Sequence, residues 1–378
     1  MRRLRYMLIS LFLIFSFAVP IASADTAPQS GKTLTLQQAI NLALQNDKGL
    51  KKAEADIERT KDLRDNAADN IDFLPSPGGN YSPTYELSWN NLLSADLAWQ
   101  MSKKSLEATR DAVVLKTCKS YWDVQTAQEK VAVQQKLEQQ ALLNLQNARA
   151  GLQAGTVAPS AIVAAEGQWQ QAKNNLEAAQ HALDDAYNSF NQQVGLDASE
   201  RPVLADAPSY EPLDIADLNH EVARVVASSP SVWLAQQQVT LKQWAADMMY
   251  FTGQYTPYKA RQIAVDQAQL DAASAQELME MVTRQLYFTT KSLEESYQAA
   301  QEAVKMAQEN LRVTKVKYDA GMATKADIVA AEVALSQAQM TVDNLIRQHA
   351  YMKLAFEKPW AASGSSSGST STSSGSTN

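Results

Sequence analysis

Two stretches of this chain, residues 144–176 and 310–342, align without a gap at an offset of 166 and are identical at 11 of 33 positions. Internal repetition constrains architecture more than composition does, because both copies must fold as the same unit. At the centre of each copy a Gly interrupts a long helical pattern. Asn144-Leu145 leads to Ala154-Gly155 and then to Ile162-Val163-Ala164-Ala165-Glu166. Asn310-Leu311 leads to Ala320-Gly321 and then to Ile328-Val329-Ala330-Ala331-Glu332. The pattern predicts two helical hairpins, each folded back at its glycine.

Beyond each glycine the apolar spacing has a period of 3.5. In the first copy Ile162, Ala165, Trp169, Ala172, Leu176, Ala179, Leu183, Ala186 and Phe190 follow in alternating steps of three and four. In the second, Ile328, Ala331, Leu335, Ala338, Val342, Leu345, His349, Met352 and Phe356 do the same. A seam of that period specifies coiled-coil packing. Pro159 suits the first position of the returning helix, where a missing N–H is harmless. Thr324 and Asp327 form a capping-box pattern at the equivalent place in the second copy.

Long helices are expected over 95–153 and 260–320, each reaching about 90 Å at ~1.5 Å per residue. Shorter ones are expected over 48–70 and 156–195, then 231–250 and 323–357. Two short helices laid end to end match one long helix, so each half should be a rod. The fold class is all-α.

The first residues carry Arg2, Arg3 and Arg5, an apolar run from Met7 to Val19, and Ala22-Ser23-Ala24, the three-part pattern of a cleaved export signal. The chain is then divided into a signal peptide (1–24), a linker (25–33), a first repeat (34–200), a linker (201–212), a second repeat (213–361) and a Ser/Gly/Thr tail (362–378), expected to be disordered. Residue 25 is Asp, so cysteine-linked lipidation of the mature N-terminus is chemically excluded. The formal net charge is −7 and becomes more negative when the three leader arginines are lost, which argues against nucleic acid as a partner. The single Cys118 is expected as a small buried residue on a helix. With three His, one Cys and no nucleophile or phosphate-loop motif, the sequence predicts no enzyme, no cofactor and no metal site. His349, in the seam position that Leu183 holds in the other copy, is expected to set register.

In these features the chain resembles the TolC-type outer-membrane efflux protein family across essentially its whole mature length. The segment Leu34-Thr35-Leu36-Gln37-Gln38-Ala39-Ile40 through Asn46 is similar to that family's entry motif, with a looser copy from Leu213 through Ser229-Pro230. The resemblance implies a homotrimer whose six hairpins close into a hollow tube, serving as exit duct for an inner-membrane pump. It also implies that the tips, Ala154, Gly155 and Thr156 with Ala320, Gly321 and Met322, meet a periplasmic adaptor. Asp327 falls where the family has an acidic residue at the channel entrance, with Ala330 where some members have a second acid.

The opposite end departs from the family, whose members insert two strands per half. A spanning strand needs roughly 9–11 residues. Between the expected helices the first half offers Tyr81 to Trp89 as its one alternating candidate, interrupted by Pro83, and the second half only Phe251 to Lys259. The barrel is therefore expected to be vestigial or absent. Tyr81, Tyr85, Trp89 and Trp99, with Trp244, Tyr250, Phe251, Tyr255 and Tyr258, map to this end. They read either as an aromatic collar at a membrane or wall, or as ordinary packing of loops on helix ends. Two functions follow: an envelope efflux conduit, or a coiled-coil spacer or adaptor without a pore.

Overall fold

A computed structural model describes residues 33–71, 83–247 and 258–363. The leader and nearly all of the Ser/Gly/Thr tail lie outside them. In chain order the elements are β1 (Thr33–Leu34), α1 (Leu36–Asn46), α2 (Lys48–Asp69), α3 (Pro83–Gln153), α4 (Pro159–Val194), β2 (Val203–Leu204), α5 (Leu218–Ser228), α6 (Pro230–Asp247), α7 (Tyr258–Asp319), α8 (Lys325–Glu357) and α9 (Pro359–Ser363).

Each half has one long helix with two shorter ones stacked along it. α3 is flanked by α2 and α4 on one side and by α6 and α8 on the other, and α6 and α8 in turn pack on α7. All nine seam positions read on α4 are buried or half-buried; up to Ala186 nearly every other residue of the helix is exposed, and near its end Tyr187, Asn191 and Val194 are buried as well. The seam on α8 is real too, but incomplete as a description. Ala326, Val329, Val333 and Arg347 form a second buried row, because α8 lies between α7 and α3.

Helix limits follow the expected ones closely, with one correction. α3 begins at Pro83 and not near residue 95. Pro83, read as an interruption of a strand, is instead the first residue of the helix, a position that suits its fixed φ and absent N–H. Tyr81 to Trp89 therefore does not form a strand across its described part.

Two short helices absent from the sequence reading, α1 and α5, sit where the stacked helices meet. The entry motif is α1, started by a Thr35–Gln38 capping box and buried through Ala39 and Ala43. Its last residue, Asn46, donates to the Val194 carbonyl at 2.9 Å and so caps α4. Gly195 follows with φ 76°, and a Cβ there would lie 2.5 Å from the Asn46 side chain. At this one point glycine is required by both backbone conformation and close approach.

The main core lies at the same level. Tyr121, fully buried, donates to the Leu34 carbonyl at 3.0 Å and accepts from the Asp206 N–H at 3.0 Å. It thereby fastens both strands of the parallel pair, Thr33 with Val203 and Leu34 with Leu204, onto α3. Cys118 belongs to the same cluster, and burial pushes its thiol up to about 11, the state of an inert packing residue.

Candidate functional site: the hairpin tips, the distal end and the open flanks

Both tips are built by the same chemistry. Gly155 donates to the Leu152 carbonyl and Thr156 to that of Gly151. Gly321 donates to Tyr318 and Met322 to Lys317. These paired bonds close a Schellman turn, which puts the glycine in the left-handed region, here at φ 69° and 71°. The residues predicted to form the tips, Ala154, Gly155, Thr156, Ala320, Gly321 and Met322, are all exposed.

Asp327 stands one turn beyond the second tip, fully exposed. Its Oδ2 accepts from the Thr324 N–H at 2.7 Å and from the Thr324 hydroxyl at 2.8 Å. These bonds hold its carboxyl below the usual range. The predicted capping box is present, and it also keeps the carboxylate charged at the mouth of the hairpin.

At the distal end, Trp244 and Tyr258 are exposed and Trp89 is half-buried. Two cations approach Trp99, with Lys103 Nζ 3.1 Å and Arg64 Cζ 4.5 Å from its ring centre. Tyr85 falls in α3, though its side chain is outside the described set. Tyr81, Tyr250, Phe251 and Tyr255 lie outside the described residues.

At the level of the core a polar cluster straps the inter-repeat segment to α7. Lys291 Nζ donates to the Leu213 carbonyl at 2.6 Å and to Glu294 Oε2 at 2.8 Å, and the Leu213 N–H donates to Glu294 Oε1 at 2.7 Å. Buried His349 lies 3.3 Å from the same carboxylate, and Tyr210 stacks on Tyr297 with ring centres 3.9 Å apart. The expectation that His349 sets register thus acquires a partner, Glu294, which heptad reasoning along one helix does not reveal. No group of three or more metal-ligating side chains occurs among the described residues.

The flanks carry the least conventional surface. Ile263, Leu270, Leu278, Met281, Phe288 and Met306 are all exposed on α7. At 100° per residue they fall on one sector of the helix. Among the described residues no element packs along that sector. On the far side of the molecule α2 and α4 have α3 on one flank, α1 touches α4 near the core, and among the described residues no long helix packs along their other flank.

No family model and no curated protein matches this sequence. Solved structures do. The Campylobacter jejuni CmeC outer membrane channel superposes with a TM-score of 0.63 at 12% identity, over 92% of this chain and 94% of that one. VceC, an outer membrane protein of Vibrio cholerae, gives 0.59 at 14%, over 86% and 95%. The open-state MtrE outer membrane channel of Neisseria gonorrhoeae gives 0.58 at 16%, over 89% and 94%. The chain has the TolC-type outer-membrane-factor fold.

Within the TolC-type fold, the distal connections are short. α2 ends at Asp69 and α3 starts at Pro83; α6 ends at Asp247 and α7 starts at Tyr258. Two spanning strands need roughly 20 residues before any turn is counted. Neither connection is long enough to hold them. Among the described residues no helix is long and apolar enough to cross a membrane.

Proposed function

We propose that this protein is the exit duct of a multipartite efflux system, an exported homotrimer whose hairpins enclose a water-filled passage. The observation that carries this reading is the apolar stripe on α7 at one edge of the molecule together with the uncovered edge formed by α2 and α4 at the opposite one. A heterologous contact between two such edges is satisfied at every junction only if the copies close into a ring. The inner-face residues between seam positions, such as Gln168, Gln171, Asn174 and Asn175, are exposed and polar and suit a hydrated lumen.

In this reading the two Schellman tips receive the periplasmic adaptor, and the carboxylates of Asp327 ring the entrance and favour cations. The passage is passive, with energy supplied by an inner-membrane pump. The distal aromatic residues meet the outer membrane or cell wall without a full barrel. The leader directs export, and cleavage before Asp25 leaves a mature end without lipid. The division into two repeats at 34–200 and 213–361 assigns one hairpin to each.

Deleting the gene in its host tests the reading. Loss of the duct raises retention of exported dyes or lowers tolerance to a toxicant panel, and the defect is rescued by the wild-type gene but not by Phe288→Glu with Leu270→Glu, which charges the closing stripe. Unchanged retention, tolerance and secreted protein in the deletion strain would instead indicate a spacer without a pore.

A further inference from the structure

We infer that, where copies of this chain meet, His181 on α4 of one copy pairs with Glu295 on α7 of the next, as a proton-dependent image of the internal Arg347–Glu129 pair. The inference rests on the ring described above and assigns its subunit contact.

The argument uses the repeat itself. Inside the chain, α3 of the first repeat packs against α8 of the second. The offset of 166 carries α3 onto α7 and α4 onto α8. The internal α3–α8 seam therefore has an image, α7 against α4, which one chain cannot make with itself and two neighbouring chains can.

Exposure supports the mapping. Phe288 (62% exposed) and Met281 (57%) are the images of Trp122 (6%) and Leu115 (5%), which α8 helps to bury. The apolar stripe on α7 thus repeats a stripe that is covered in the first half. The complementary face of α4 is mostly small or polar, with Val163 (71% exposed) as its apolar member. Gly167 has nothing within 4 Å of where its Cβ would stand. By the register of the internal seam it falls opposite the exposed Met306. A mid-helix glycine is unfavourable for α4 alone and is explained by a side chain entering there.

Among the polar contacts that hold the internal seam, two set a charged side chain of one helix against a polar or charged one of the other midway along it. Arg347 Nη1 donates to Glu129 Oε2 at 2.9 Å, and Lys136 donates to Ser336 Oγ at 2.6 Å. Their images are His181 with Glu295, and Gln170 with Glu302. Each image again sets a donor against an acceptor. The difference lies in the first: a permanent guanidinium inside the chain becomes an imidazole between chains.

Charged groups around that imidazole are Glu177, Asp184 and Asp185 on α4 and Lys130 on the α3 stretch beside it. Arg201 binds Asp184 at 2.9 Å. The incoming α7 brings Lys291, Glu295 and Glu302. An imidazole that gains an anionic partner strengthens assembly while protonated. That contribution is complete below the ordinary imidazole range, near pH 6.5, and is lost as pH rises through and above it.

The test is sedimentation velocity of the mature protein at pH 5.5 and 7.5, above the main carboxylate titration, at constant ionic strength. The wild type is expected to assemble at about tenfold lower concentration at pH 5.5, since each exposed pair contributes modestly and a trimer holds three. His181→Gln and Glu295→Gln should remove the difference between the two pH values. His181→Arg, which restores the internal chemistry, should assemble equally well at both. Both positions of change are exposed, and circular dichroism checks folding. A wild-type assembly without pH dependence, or one whose dependence survives in both Gln variants, overturns the pair while leaving the ring intact. A chain that stays single at both pH values, His181→Arg included, overturns the ring and the pair together.

Discussion

Arg347 of α8 and Glu129 of α3 join the two repeats through a paired, charge-assisted contact in which the arginine side chain is only 7% exposed. Thr126 accepts a third bond from the same guanidinium at 3.2 Å. Removing one member of such a pair leaves the other without compensation in a largely dry seam. Glu129→Gln should lower stability to urea by about 1–3 kcal/mol, reduced from the fully buried case because Glu129 is one-third exposed. Glu295→Gln, its exposed counterpart on α7, should change the stability of the single chain by less than about 0.5 kcal/mol. Equal effects would contradict the distinction between a filled seam and its open image.

Gly155, Gly195 and Gly321, the three glycines with positive φ among the described residues, should not respond alike. Gly155→Ala and Gly321→Ala meet open space and oppose only the left-handed backbone, at about 1–2 kcal/mol each. Gly195→Ala must also displace Asn46 and disturb the cap on Val194. It should therefore be the most damaging of the three by thermal melting, and Asn46→Ala should not restore wild-type stability, because the cap is lost with it.

Much of this architecture was legible before any coordinates. The α4 seam was legible because α3 is its neighbour over most of its length, so a period of 3.5 describes the face turned to α3; Tyr187, Asn191 and Val194, buried at the C-terminal end where α1 also packs, fall outside that row. On α8 the same reading caught one row and passed over Ala326, Val329, Val333 and Arg347, since a helix between two partners buries two rows and the periods overlap. Pro83 misled because a proline beside alternating aromatics reads equally as a broken strand or as a helix start. The α7 stripe was invisible for a different reason: Leu270 or Phe288 in a long helix looks like core until a structure shows nothing packed on it. The Glu294 cluster joins residues far apart in sequence, and heptad reasoning has no access to such contacts.

That cluster has a pH signature. Burial pulls the Glu294 carboxyl upward, but bonds from Lys291, the Leu213 N–H and His349 outweigh it and leave the group below its usual range. The bond to Glu294 correspondingly raises Lys291. A depressed folded value means that the stabilisation is present above the unfolded carboxylate value, about pH 4.3, and is lost as pH falls through the folded one. Glu294→Gln should cost about 1–3 kcal/mol at pH 7 and less at pH 3, measured by urea denaturation. A deficit that does not shrink in acid would remove the carboxylate from this role.

Charging the α7 stripe should separate assembly from folding. Met281→Glu or Phe288→Glu alters side chains already in water, so the thermal midpoint of the single chain should hold to within a few degrees. Self-association by analytical ultracentrifugation should be lost. Loss of both together would mean that the stripe is packed within the chain.

The central claim, that three copies enclose a passage, is tested most directly by cryo-electron microscopy of the purified mature protein. The account predicts a hollow three-chain tube, with α7 of each copy lying along α4 and α2 of the next and no transmembrane barrel at the distal end. Solid bundles, or single-chain rods at every concentration, would contradict it.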